Sequence, residues 1–432
     1  MITVQIIPLI FGLRPEFLLF GLTLLGVALF HRYTLWVAVI GLMSILAFKF
    51  LFDPAFNLPE HLFGHVSMTD QFIHKNMRVG EWSVLLNLFG LLIGFSLLSK
   101  HFEESRIPEF LPNFLPNDWK GPLVLLITVF IISSFLDNIA AALIGGTIAI
   151  VVFKHKVHMG YIAALVAASN AGGSGSVIGD TTTTLMWIEG VHPFNVLHAY
   201  VAAVVALVFF SVFASVQQDK YQRIQKDANP DIKIDWHRLG IVILILVLTI
   251  LTNVFLDFPA LGVWIAIIIG SFIRKTDWHE AKNSIAGSLF LISLVTCASL
   301  MPVNELPAAS WQTAFSLGFV SSVFDNIPLT KLALEQNGYD WGMLAYAVGF
   351  GGSMIWFGSS AGVAISTKFH EARSVVNWLK SGWHIAVAYV LGFFVLLFFI
   401  GWRPDPITRK NVPENSVPAM EQVIQIPDKP NE

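Results

Sequence analysis

The chain has 432 residues, 55% of them hydrophobic and only 13% charged, with a mean hydropathy of +0.67 and a formal net charge of −3. A soluble domain carries about 25% charged residues, so this composition excludes a water-exposed shell and suits the bilayer as solvent. No basic block points to nucleic acid, and the single cysteine, Cys297, excludes an intramolecular disulfide and a cysteine-based metal site.

In chain order, residues 1–12 are apolar but short, and read as a surface or re-entrant piece. They lack a basic n-region and further apolar stretches follow at once, so the N-terminus reads as retained rather than cleaved. Spans are expected near 15–30 and 33–53. The mixed stretch 54–78, with His61, His65, Asp70 and His74, suits an extramembrane loop or surface-lying helix. A further span is expected over 79–98, followed by a charged, proline-marked connection over 99–120. Residues 121–153 and 159–189 are each longer and more polar than one simple span. The second contains Asn170-Ala-Gly-Gly-Ser-Gly-Ser176, then Asp180 and four threonines. A break of this kind leaves backbone groups unpaired, so it must face protein or water rather than lipid.

After a span over 192–215, the charged segment 216–237 divides the chain almost in half. Its Lys220, Arg223, Lys226 and Lys233 favour the cytoplasmic side. The second half has apolar stretches near 238–256, 259–273, 284–300, 310–335, 341–367 and 376–400, and a proline-rich charged tail over 403–432 expected to be disordered. The expected fold is an all-α polytopic membrane transporter of about 10–12 spans. Its expected divisions are an N-terminal repeat over 1–215, a cytoplasmic linker over 216–237, a C-terminal repeat over 238–402 and the tail.

A motif recurs across the two halves. Ser133-Ser-Phe-Leu-Asp137-Asn138-Ile and Ser321-Ser-Val-Phe-Asp325-Asn326-Ile are offset by 188 residues, and Gly172-Gly-Ser174 with Gly179 and Gly351-Gly-Ser353 with Gly358 by 179. Two motifs in one order at nearly one spacing indicate an internal repeat, the ground plan of many secondary transporters. An odd number of spans per half, about five, predicts inverted topology, with broken helices or re-entrant hairpins near the midplane.

An Asp in an apolar run costs roughly 2.5–3.5 kcal/mol near the midplane and usually faces a path. Asp137 and Asp325 read either as helix N-caps or as cation ligands, and the two roles are compatible. Asp180 is a third such carboxylate, beside Asn170, Ser174, Ser176 and the threonines from Thr181. For individual threonines, helix packing with the hydroxyl bonded to its own backbone competes with a functional role. Hard oxygen ligands suit Na⁺, and a buried carboxylate can exchange H⁺ for Na⁺. The repeat is unequal, because Ser359 and Ser360 stand where the first copy has Asp180 and Thr181. Lys331 is expected to snorkel to an interface or, less favoured, to pair with a carboxylate. Trp187, Trp311, Trp341 and Trp378 are expected as interface anchors. No His pair has zinc-ligand spacing, and no catalytic constellation is present, so an enzyme is not expected.

The runs Ser169–Trp187, Ser133–Asn138 and Ser322–Leu329 resemble the NhaD-type sodium/proton antiporters. These belong to an ion transporter superfamily that includes citrate and dicarboxylate carriers and arsenite permeases. The resemblance covers most of 15–400. It implies a two-repeat, homodimeric carrier working by alternating access; the composition suits a bacterial inner membrane, among its lipids, and no cofactor is expected. The resemblance also implies a cation path lined by Asp137, Asn138, Asn170, Asp180, Thr181, Thr182, Asp325 and Asn326. Ser174 and Ser353 in the glycine-rich breaks complete the candidate path, with Asp137, Asp180 and Asp325 as the metal-binding carboxylates. The expected activity is exchange of Na⁺ (or Li⁺) for H⁺, and the alternative is Na⁺- or H⁺-coupled citrate or dicarboxylate symport. The carboxylate carriers have a Ser-Asn-Thr motif where this chain has Ser169-Asn170-Ala171 and, in the second half, Phe350-Gly351-Gly352, a departure that favours the cation exchanger.

Overall fold

In a computed structural model of the protein, residues 12–30, 32–225 and 232–407 are described. The apolar piece before Gly12, Lys226 of the central segment and the tail from 408 onward lie outside the described residues. The described residues divide into two units, one running to Phe56 and then over Val84–Ile407, the other Asn57–Ser83. Within Asn57–Ser83, two short helices, Leu58–Phe63 and Met68–Ile73, are tied by the buried Gln71. Its amide donates to the carbonyls of Phe63 and Val66 and accepts from Val79 N and Trp82 Nε1.

The larger unit is all helical. Its main helices are α1 (Pro15–Leu29), α2 (Thr34–Phe52), α3 (Trp82–Glu104), α4 (Lys120–Ser133), α5 (Asn138–Val152), α6 (Met159–Gly173), α7 (Thr181–Ile188), α8 (Ala199–Tyr221), α9 (Trp236–Leu256), α10 (Pro259–Ile273), α11 (Trp278–Ser299), α12 (Trp311–Ser321), α13 (Asn326–Gln336), α14 (Trp341–Gly351), α15 (Ser360–Ile365) and α16 (Trp383–Ile400). Among the described residues, six helices are long and apolar enough to cross a membrane: Thr34–Phe52, Trp82–Glu104, Phe194–Tyr221, Trp236–Leu256, Trp278–Ser299 and Trp383–Ile400. The ten to twelve spanning elements expected from the sequence resolve into these six and a set of shorter pieces.

Apart from α1 and α10, the shorter pieces arise where the polar motifs interrupt the apolar runs. The run 121–153 breaks between α4 and α5, and 310–335 breaks between α12 and α13. The runs 159–189 and 341–367 each break over a glycine-rich turn. Side chains satisfy the backbone groups that the breaks release. Ser133 Oγ donates to Ser169 O at 2.6 Å, and its repeat counterpart Ser321 Oγ donates to Val348 O at 2.7 Å. Close approach needs glycine here. A Cβ on Gly172 would lie 2.1 Å from the Phe130 carbonyl oxygen, and one on Gly351 2.4 Å from that of Gly318.

The loops gather at two ends. At the basic end, Asp235 N donates to Ser105 O, Gln225 N to Val152 O and Gln218 Nε2 to Lys156 O, while Arg274 Nε reaches Asp235 Oδ2 at 2.8 Å. At the far end, residues 401–407 form a strap. Asp405 N donates to Tyr339 O, Arg403 N to Asp340 Oδ2, and Asn337 exchanges two bonds with Ile407. The buried Asp340 also meets His198 Nε2 at 2.6 Å. Trp341 and Trp378 correct their expected place at the interface. Both are fully buried, with Nε1 donating to the carbonyls of Asp405 and Ser353. Trp187 is also buried, at 6% exposure.

Candidate functional site

The two halves interlock at their breaks. The short helix α7 packs on α13, and its counterpart α15 packs on α5, so each half's short helix lies against the other half's Asp-capped helix. Three carboxylates start helices there. Asp137 Oδ2 accepts from Ile139 N at 3.1 Å, Asp325 Oδ1 from Ile327 N at 3.0 Å and Asp180 Oδ1 from Thr182 N at 3.2 Å. Ser359 caps α15 in the same way through Gly362 N. The capping role weighed from the sequence is therefore present at all three acids. Each cap spends one oxygen, and the second oxygen of each acid is free to meet something else.

Those second oxygens differ. Asp137 Oδ1 meets Thr181 Oγ1 at 3.4 Å, and Asp325 Oδ2 meets Ser360 Oγ at 3.4 Å, a repeated pair at a repeated distance. Asp180 is 2% exposed, and its Oδ2 has no hydrogen-bond partner among the described residues. Leaving a buried acceptor unpaired costs about 1–3 kcal/mol, and more when it is charged. Thr182 Oγ1 is likewise buried without a hydrogen-bond partner among the described residues.

Asn170 joins the halves. Its Oδ1 accepts from Asn138 Nδ2 at 3.0 Å, and its Nδ2 lies 2.9 Å from Ser353 Oγ and 3.0 Å from Ser359 Oγ. Asn138 Nδ2 also approaches Asp180 Oδ1 at 3.3 Å. The residue offset from Asn170 by the repeat is Gly349, which has no side chain. A Cβ on Gly349 would lie 3.1 Å from Asp180 Oδ2 and 3.8 Å from Ser174 Cβ. Asn170 thus faces Ser353 and Ser359, and Gly349 faces their counterparts Ser174 and Asp180. The first copy of the contact is filled by an amide, and the second is bare beside the unpaired carboxylate oxygen.

A cavity of about 1070 Å³ reaches Asp137, Thr181, Asp325 and Ser360. Its walls are mainly apolar, from Leu88, Leu91, Phe95, Ile144, Ile148 and Leu291. Its mouth carries Lys100, Glu103, Arg106 and Glu109, which lie at the basic end. Lys100–Glu103 and Arg106–Glu109 are solvent-accessible ion pairs, so this vestibule opens there. Asp137 and Asp325 are partly accessible from it, and Asp180 is buried behind them.

Of the ten residues read from the sequence, Asn138, Asn170, Asp180 and Ser353 share one hydrogen-bonded network, and Asp137, Thr181 and Asp325 line the vestibule. Ser174 Oγ bonds Ala171 O in its own helix. Asn326 is buried, its carbonyl taking the Thr330 hydroxyl. Thr183 and Thr184 hydroxyls bond backbone carbonyls, the packing role. Sequence reasoning missed Ser359, Ser360 and Gly349 as site residues, although the 179-residue offset marks all three. It also misplaced Lys331. This side chain is fully buried, ion-paired to Glu189 and, at 2.9 Å, to Glu335, because it sits where α13 meets the end of α7 rather than at a lipid interface.

Residues 26–351 match the family model described as CitMHS: Citrate transporter. Among similar proteins, "Sodium/proton antiporter 1" of Arabidopsis thaliana is 26% identical over 320 residues, covering 63% of this chain and 55% of that protein. "Na(+)/H(+) antiporter NhaD" of Vibrio cholerae is 26% identical over 397 residues, covering 77% of this chain and 81% of its own. The protein of that name from Vibrio parahaemolyticus is 26% identical over 320 residues, covering 60% and 76%. The chain thus spans little more than half the length of the plant relative.

Proposed function

The chain belongs to the CitMHS citrate transporter family, and from that premise we propose that it is a secondary active carrier of the bacterial inner membrane that exchanges Na⁺ (or Li⁺) for H⁺. The observation that carries this reading is the buried Asp180 with its unpaired Oδ2 beside Gly349. Such an oxygen is stabilised by a proton or by a small cation, and the two exclude each other on charge grounds. Asp137 and Asp325, each holding a hydroxyl partner at the inner end of the vestibule, receive the cation from solution. Asn138 and Asn170 couple them to the core, and Thr181, Thr182, Ser174, Asn326 and Ser353 supply the neutral oxygens and packing around the path.

We further propose that 1–215 and 238–402 act as two inverted repeats rocking about this point, with 216–237 as a cytoplasmic linker and a homodimer as the working unit. The matched caps, hydroxyl pairs and glycine contacts of the two halves support that arrangement, and the basic end then faces the cytoplasm. Relatives described as sodium/proton antiporters support the choice of ion.

Citrate symport is the second reading, favoured by the family's description and by a vestibule far larger than a bare Na⁺. Against it, the inner end of the vestibule presents two carboxylates, and Lys331 is committed to Glu189 and Glu335. Proteoliposomes holding the purified chain, challenged with Na⁺, Li⁺, K⁺ and citrate in turn, test the choice. Na⁺- or Li⁺-driven proton efflux that is abolished in Asp180→Asn and strongly reduced in Asp137→Asn is expected. Citrate uptake without cation-driven proton movement would overturn the antiport reading.

A further inference from the structure

The two ends of the path are built from equivalent residues that are used differently. At the far end, Lys331 of α13 is fully buried and ion-paired to Glu189, just after α7, and to Glu335 one turn along its own helix. The side chains of Glu189 and Glu335 are only 8% and 14% exposed. The triad therefore ties the end of α7, from the first half, to α13, from the second. Both helices begin at a path carboxylate, Asp180 for α7 and Asp325 for α13.

The repeat offsets locate the same three positions in the other copy. An offset of 188 takes Lys331 and Glu335 back to Leu143 and Thr147, and an offset of 179 takes Glu189 forward to Lys368. All three of these line the open vestibule. Thr147 and Lys368 are exposed, and Leu143 and Thr147 carry no charge, so the acid–base pairing of the triad has no equivalent at these positions. Where the triad stands, the helices are clamped; where its counterparts stand, the same contact borders a cavity.

We infer that Lys331, Glu189 and Glu335 form the closure of the far side of the path, and that opening that side requires the interhelical Lys331–Glu189 pair to part. This rests on the two-repeat, alternating-access reading above, but not on which ion is carried. The three are positioning residues, acting through the two helices that carry Asp180 and Asp325. A buried pair suits this role, because it is stable while intact and removing one partner is strongly destabilising to the closed arrangement. Parting the pair takes the Lys331 counter-charge away from the buried Glu189 carboxylate, so the parted state is favoured only when water reaches Glu189 as the path opens to that side.

The test uses a Cys297→Ser background with Leu334→Cys, a fully buried position one turn beyond Lys331. A membrane-impermeant thiol reagent is applied to the far side of oriented proteoliposomes. Labelling is expected to be slow with Lys331 present and about tenfold faster or more in K331M. It is expected to be intermediate in E189Q, where Lys331 keeps Glu335, and slow again in the charge swap K331E/E189K. A Leu143→Cys reporter in the vestibule, labelled from the basic side, is expected to keep its rate, which separates opening of one side from general loosening. Unchanged Leu334→Cys labelling in folded K331M overturns the inference, as does a swap that labels as fast as K331M. If K331M does not fold, E189Q and the swap decide by the same criteria. Because the readout is labelling rather than flux, the result stands whether the chain moves Na⁺ or citrate.

Discussion

Gly349 and Asn170 occupy equivalent positions with opposite contents, and the difference isolates Asp180 Oδ2. Gly349→Ala would put a Cβ 3.1 Å from that oxygen and 3.8 Å from Ser174 Cβ, close enough to crowd a bound cation while Asp180 shifts by a few tenths of an ångström. The expected result is a KM for Na⁺ raised by about tenfold, roughly 1.4 kcal/mol, with little loss of thermal stability. Asn170→Ala acts differently. It removes the partner of Asn138, Ser353 and Ser359 at once, and is expected to cost about 1–3 kcal/mol of stability as well as transport. Melting curves in detergent, run beside exchange assays, separate the two. The three acids were legible in the sequence because an Asp within an apolar run is conspicuous. The partners of Asn170 were not, since Ser353 and Ser359 lie more than 180 residues away and only the interlocked packing of the halves brings them near.

Helix boundaries followed the local chemistry closely. The breaks fall at the Asp-Asn and glycine-rich motifs, where side-chain caps compete with helix continuation. What the sequence could not reveal is which apolar faces meet protein rather than lipid. Trp341 and Trp378 therefore read as interface residues, and Lys331 as a residue that either snorkels or pairs with a carboxylate, because these side chains fit either environment; the pairing is what the fold realises. Gly172 shows how tight one such contact is. Gly172→Ala would press a Cβ against the Phe130 carbonyl at 2.1 Å, so the α4–α6 packing must open, at an expected cost of about 1–3 kcal/mol. The melting temperature of the purified protein checks this. At the membrane edge, Asp235 caps α9 through His237 N and Arg238 N, and the Arg274 guanidinium holds its carboxyl below the usual carboxylate range. With the folded pKa depressed, its contribution is present above the unfolded value, about 3.9, and is lost as pH falls through the lower folded one. Asp235→Ala is therefore expected to cost about 0.5 kcal/mol at neutral pH, the low end for a partly exposed, solvent-screened cap, and nothing once both carboxyl states are protonated. Parallel melts at the two pH values read the difference.

At the scale of the whole molecule, two halves with matched caps, hydroxyl pairs and glycine contacts make unequal ends: a clamped one with Lys331, Glu189 and Glu335, and an open one with Leu143, Thr147 and Lys368. The vestibule also has an electrical meaning. A cavity open to electrolyte brings the potential of the basic side inward to Asp137 and Asp325, so the membrane voltage falls mainly across the closed layer behind them. Each charge crossing that layer moves through nearly the full drop, about 2.3 kcal/mol per 100 mV, over much less than the roughly 30 Å of the hydrocarbon core. Cation binding from the vestibule is then expected to be nearly independent of voltage, while binding from the far side carries most of the voltage dependence. Sodium KM values measured from each side under imposed potassium diffusion potentials would show this as a one-sided shift. The carrier is, in effect, a thin capacitor with its dielectric placed between Asp180 and Lys331.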